Sequence, residues 1–142
     1  MKKVLFTGGR SFTDISLVRI IFDYLKGQIG DFEICHGAAV GLDTLVDEVA
    51  RERNIPRTPF QVPTNDYRLY GNRAPTMRNQ RMLDEFKPDL VVVFPGARGT
   101  QDMHNRAYSA GKLILNVRGS LDILWENTPL ANALSSIFTE NE

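Results

Sequence analysis

The chain has 142 residues, a length that suits one domain, and 42% hydrophobic with 24% charged residues is the balance of a globule with a real core. Seventeen basic and seventeen acidic side chains cancel to a formal net charge of zero, which disfavours nucleic acid as a partner but leaves room for a local basic pocket. One cysteine, Cys35, excludes an intrachain disulfide, and with only two histidines, His36 and His104, neither a metal site nor a cofactor is expected.

The start is basic then apolar, but the apolar run stops at Thr7-Gly8-Gly9, too soon for a signal peptide. No later segment is long and apolar enough to span a bilayer, so a cytoplasmic location without membrane contact is expected. Residues 3–7 read as the first strand and 8–12 as a turn. Thr13 or Asp14 caps a helix whose Leu17, Ile20, Ile21, Tyr24 and Leu25 make one apolar face, with Gly27 and Gly30 ending it. Residues 32–35 form a second strand in which Cys35 is a small buried residue, and 36–41 a second glycine turn. A helix over 42–53 turns Leu42, Leu45, Val46 and Val49 inward, and 57–62 is a third strand. Residues 63–75 are the longest irregular stretch, of a length that is often functional. A short helix covers 77–86. Residues 90–94, Leu-Val-Val-Val-Phe, are apolar on both faces and fit a central parallel strand. A third glycine turn at 95–100 leads into a helix that reaches about Ala110 and stops at Gly111, and 113–117 is the last strand. Beyond Ser120 one or two short helices are expected over about 120–138, with Trp125 and Leu134 as anchors.

This alternation predicts a three-layer, Rossmann-like α/β fold with a mainly parallel sheet of about five strands in the order 3-2-1-4-5. One domain would span residues 1–142, with its core at about 3–117. All strand-to-helix turns of such a sheet lie on one edge, and in this order the turns after the first and fourth strands face each other at the switch point where α/β ligands bind.

Three turns share the form strand, glycine turn, helix, and they contain Gly8 and Gly9, Gly37 and Gly41, and Gly96 and Gly99. Glycine lets the backbone approach an anion, and the free N–H groups of a helix start, aided by the helix dipole, bind phosphate. Thr100 adds a hydroxyl, and Arg10, Arg78 and Arg98 add charge suited to bidentate contact with phosphate. Neither G-x-G-x-x-G nor a P-loop is present. Asp43 is a candidate for ribose hydroxyls or for a helix cap. Asp102 would stabilise an oxocarbenium-like ribose or polarise a water, or else complement its helix dipole. Tyr67 and Tyr70 stack on a base as a lid, or pack the long loop. His36 is expected to make a structural hydrogen bond at its strand end, His104 to face solvent, Phe12 to plug its turn, and Met77, Met82 and Met103 to pack.

The set Gly8-Gly9-Arg10-x-Phe12-x-Asp14, His36-Gly37-x-x-x-Gly41-x-Asp43, Arg78-Asn79-Gln80-Arg81-Met82-Leu83 and Phe94-Pro95-Gly96-x-x-Gly99-Thr100-x-Asp102-Met103 resembles the YspA-like branch of the SLOG superfamily. That superfamily also holds the LOG phosphoribohydrolases, often labelled lysine decarboxylase-like, and the DNA-processing protein DprA. The resemblance implies a nucleotide or nucleotide derivative as partner, with Asn79 joining Arg78 in the site, and a homodimer. LOG enzymes cleave the N-glycosidic bond of a nucleoside 5′-monophosphate and carry P-G-G-x-G-T-x-x-E. Here the glutamate position holds Met103, and Asp102 precedes it by one residue. Two functions follow from this: hydrolysis of a nucleotide N-glycosidic bond, with Asp102 and Arg78 as its catalytic residues, or a non-catalytic module that senses or sequesters a nucleotide-derived signal. DprA-like binding of single-stranded DNA is a third, which the charge balance disfavours.

Overall fold

Successive side chains of a strand point to opposite faces, so a strand that is apolar throughout must be covered twice. A computed structural model, which describes residues 1–129, shows how this chain does so. Its strands are β1 (Lys2–Thr7), β2 (Phe32–His36), β3 (Arg57–Pro59), β4 (Leu90–Val93), β5 (Leu113–Gly119) and β6 (Asp122–Glu126). They form one sheet in the order β3-β2-β1-β4-β5-β6. Neighbours are parallel from β3 through β5, and only β5 and β6 run antiparallel. The fold is therefore the expected three-layer, Rossmann-like one, with six strands where about five were predicted.

Val4, Phe6, Ile34, Leu90 and Val92 meet α1 (Ile15–Ile29) and α2 (Leu42–Glu52) on one face. Leu5, Cys35, Val91, Val93 and Ile114 meet Met82, Leu83, Phe86, Met103 and Ala107 on the other. The second layer consists of α4 (Ala74–Arg81), the π-helical turn Met82–Phe86 that continues it, and α5 (Arg98–Ser109). Helix α1 starts where the sequence places it: the Asp14 carboxylate accepts from Leu17 N–H at 3.1 Å. It runs through Gly27 and ends at Gly30, whose φ of +76° suits glycine. Ile20, expected inward, is 48% exposed.

Two segments differ from expectation. Residues 63–75 are not irregular. They hold α3 (Thr64–Tyr70), a 3₁₀ turn (Gly71–Arg73) and the start of α4, where Pro75 sits in the first turn and is tolerated because its missing N–H would have had no helical partner. The third strand, expected over 57–62, is only three residues long. Residues 122–126, expected as helix, form β6. Ser120-Leu121 turns the chain, and Ile123 and Trp125 alternate inward to pair with Val117 and Leu115. Trp125 does anchor this end: its indole N–H donates to the Tyr24 hydroxyl at 3.1 Å. Leu134 and the rest of the expected helical tail lie outside the described residues. Among the described residues no helix is long and apolar enough to cross a membrane.

Candidate functional site

The register of β1 against β4 pairs Thr7 with Val93, so the turns that follow them leave the sheet side by side. Their backbones touch. Gly9 N–H donates to Pro95 O at 2.8 Å, and a Cβ on Gly9 would lie 3.0 Å from both Pro95 O and the Gly96 Cα. A Cβ on Gly96 would run into the Thr100 side chain and sit 2.9 Å from Gly9 N. The turn after β2 closes on the same point. Leu42 N–H donates to Gly9 O at 3.1 Å, and Gly41, at φ +86°, presses against Gly9 O and Arg10 O where no side chain fits. Gly8 lies against the Leu42 side chain. Three sequence-distant turns thus form one interlocked rim at the carboxyl ends of the strands.

The three turns differ in what their amides do. After β2, Ala38 N–H donates to His36 Nδ1 at 3.0 Å and Ala39 N–H to the Asp43 carboxylate at 3.2 Å. The Gly37 carbonyl accepts from Arg78. This turn binds itself. After β4, the helical ladder of α5 begins with Gln101 N–H on Ala97 O at 2.9 Å, so the amides of Arg98, Gly99 and Thr100 precede it. Thr100 is buried, while Arg98 and Arg10 are exposed, and neither arginine has an ion pair among the described residues.

Arg78 reaches from α4 beneath the β2 turn. It donates to Gly37 O and, at 3.3 Å, to Phe60 O. Burial pushes its guanidinium below the ordinary value, Asp43 and Tyr67 pull the other way, and Arg10 and Arg81 add to the depression. Tyr67 is 48% and Tyr70 38% exposed on α3. Asp43 is buried at the start of α2, and burial raises its carboxyl pKa against the opposing backbone bonds of Ala39 and Gly37 and the charges of His36 and Arg78.

Asp102 is already engaged. Its Oδ2 accepts from Arg106 Nε at 2.8 Å and from Asn79 Nδ2 at 3.0 Å. Asn79, itself buried, also donates to Gly99 O at 3.2 Å, so it ties α4 to the β4 turn. Met103 is buried in the second core layer and offers no chemistry. Arg106 passed unnoticed in the sequence, although its i,i+4 spacing from Asp102 on a helix is a readable pairing signal. Asp47 was missed too. It accepts from His36 Nε2 at 2.8 Å and pairs with Arg51 and Arg57 at 3.0 and 2.9 Å. His104, expected at the surface, is half-buried against Glu126 of β6 at 2.7 Å, and Met77, expected to pack, is 40% exposed. No group of three or more His, Cys, Asp or Glu side chains that could hold a metal occurs among the described residues.

Several solved structures share this fold. The X-ray structure of TM1055 matches with a TM-score of 0.63 at 23% identity, over 84% of this chain and 76% of that one. DNA processing protein A (DprA) from Streptococcus pneumoniae matches with a TM-score of 0.66 at 16% identity, over 99% of this chain and 56% of its own. The UDP-GlcNAc 2-epimerase from Neisseria meningitidis, solved bound to UDP-GlcNAc, matches with a TM-score of 0.52 at 19% identity, over 85% of this chain and 33% of its own. At these identities the likeness is one of fold, and the chain spans about half the length of the DprA chain and a third of the epimerase. No curated protein sequence matches the chain. The family model described as "YspA, cpYpsA-related SLOG family" matches residues 2–67, the part that carries the β1 and β2 turns. That match covers just under half of the chain, and over it, on a Rossmann-like sheet, the chain is similar to the YspA, cpYpsA-related SLOG family.

Proposed function

We propose that the crevice between the β1 and β4 turns binds a nucleotide or a nucleotide-derived molecule, with its phosphate on the start of α5. The observation that supports this is the contact of Gly9, the neighbour of Arg10, with Pro95 and Gly96 just before the start of α5. The amides of Arg98, Gly99 and Thr100, the Thr100 hydroxyl and two arginines without ion pairs among the described residues form an anion site of the helix-start kind. The Gly37 to Gly41 turn serves as the wall that holds Gly9, since its own side chains occupy its amides. The half-exposed Tyr67 and Tyr70 of α3 would stack on the base.

The similarity of residues 2–67 to the YspA, cpYpsA-related SLOG family supports a nucleotide-related ligand. Met103 at the position where LOG enzymes carry glutamate, with Asp102 Oδ2 held by Arg106 and Asn79, favours the binding module over N-glycosidic hydrolysis. Arg78, tied to two carbonyls, likewise acts here as a staple.

The test is calorimetry and thermal shift with nucleoside monophosphates and NAD-like dinucleotides, followed by chromatography of the recovered ligand. Stabilisation by at least one of them is expected, with the ligand recovered intact. Arg10→Ala is expected to lose about 10- to 100-fold in affinity, as for removal of a charged hydrogen bond. No stabilisation by any phosphate-bearing nucleotide would remove the binding reading. Release of free base would replace the module with the hydrolase.

A further inference from the structure

We infer that His36 is a positioning residue for the phosphate site: its neutral ring holds the β2 turn, the β2 turn holds Gly9 and Arg10, and protonation of the ring releases them. The consequence for binding rests on the function proposed above; the mechanical part stands on geometry alone.

His36 is buried at the end of β2 and makes two opposed contacts. Nε2 lies 2.8 Å from Asp47 Oδ1, and Nδ1 accepts the Ala38 N–H at 3.0 Å. Burial alone would lift Asp47, but the hydrogen bond and charge of His36, with Arg57 and Arg51, outweigh it and hold the carboxyl below its ordinary value. Asp47 is therefore an acceptor, so Nε2 carries the proton and Nδ1 keeps its lone pair. That lone pair holds Ala38 at φ +56°, a left-handed conformation that is unfavourable for alanine and needs such a restraint. The next amide, Ala39, is held by Asp43, and the carbonyl before Ala38, Gly37 O, by Arg78. The turn so shaped delivers Gly41 and Leu42 onto Gly9 O and Arg10 O.

A proton on Nδ1 would set an N–H against the Ala38 N–H. Of the charged groups around the ring, Asp43 and Asp47 from α2 favour that proton, while Arg57 from β3 and Arg78 from α4 oppose it, with Arg51 of α2 behind Asp47. Whatever their balance, the acceptor at Nδ1 is lost once the proton arrives. The sign follows: affinity is full above the imidazole titration and falls as pH drops through it, by up to about tenfold per pH unit for one linked proton.

The experiment uses the full chain and two readouts. Nitrogen-15 spectra of the His36 ring, recorded without ligand, are expected to show the Nε2–H tautomer at pH 8. On acidification the backbone amides of Ala38, Gly9 and Arg10 should shift with the same midpoint as the ring. Amides of Gly9 and Arg10 that ignore the ring's titration would overturn the proposal, as would an Nδ1–H tautomer. The second readout is the affinity of inorganic sulfate, whose charge does not change between about pH 5 and 8, the range in which imidazoles titrate. Wild type should lose affinity on the acid side, and His36→Gln, which can still accept from Ala38, should bind at pH 8 with the slope gone. A retained slope in His36→Gln overturns the proposal. Should that variant not fold, Asp47→Asn is expected to move the ring midpoint to lower pH and to carry the Gly9 and Arg10 midpoints with it; midpoints that stay behind overturn the proposal. If sulfate binds at no pH, the phosphate site itself is wrong, and the spectra alone still decide the role of His36.

Discussion

Gly96 and Gly99 sit three residues apart in one turn, and substitution by alanine should move the protein in opposite directions. A Cβ at position 96 would overlap the Thr100 side chain and lie 2.9 Å from Gly9 N, tighter than ordinary van der Waals contact. Thr100 is buried and α5 is packed through Met103, so the turns rather than the helix must part. Overpacking of this kind costs about 1–3 kcal/mol. Parting the turns also breaks the 2.8 Å bond from Gly9 N–H to Pro95 O, worth about 1 kcal/mol. Gly96→Ala should therefore lose about 2–4 kcal/mol, or roughly 6–12 °C in Tm for a chain of this size. At Gly99 a Cβ meets nothing within 4 Å, and the residue lies in the first turn of α5. Gly99→Ala should gain up to about 1 kcal/mol from helix propensity. Urea unfolding followed by tryptophan fluorescence measures both, since Trp125 packs against the first core layer. A Gly96→Ala protein as stable as wild type would refute the close approach of the two turns. The same pair separates stability from binding: if a phosphate lies against the Gly99 backbone, Gly99→Ala is the more stable protein and the weaker binder.

Asp43→Asn should reveal a pH-dependent term. Burial raises the carboxyl pKa of Asp43 in the folded chain, so between the ordinary aspartate value and the raised one the native state holds a proton that the unfolded chain has released. Stability of the wild type falls as pH rises through that window, and the variant lacks this loss; parallel urea midpoints for the two proteins across the window would count against it. Burial also pushes the Cys35 thiol far above its ordinary value, so native protein should resist alkylation by iodoacetamide and react fully only when unfolded. Rapid modification under native conditions would show that the second core layer opens.

Much of the fold is legible in the residues because the signals are local and agree. The run Leu90 to Phe94 needs two covers, and the capped periodicities on either side of it supply them. The carboxylate of Asp14, the glycines at 30 and 111 and the β-branched strand cores each act within a few residues of where they stand. The segment from 63 to 75 was not legible, because its prolines, glycine and asparagines are turn formers that here cap and join short helices. Residues 122–126 were misread because five residues with Leu124 and Trp125 satisfy either period, and only pairing with β5 selects the strand.

For the proposed site, the three glycine turns and the candidates Arg10, Arg98 and Thr100 can be named from the sequence, since glycine and a helix start are the ingredients of an anion site. Which of the turns keeps its amides free cannot. That depends on His36, Asp43 and Arg78 arriving from β2, α2 and α4 at the same few atoms, and on Arg106 and Asn79 reaching Asp102 first. A chain of residues states which groups can bond. Only the crossing of its elements in space, where each donor finds one acceptor and is then spent, decides which groups remain for a ligand.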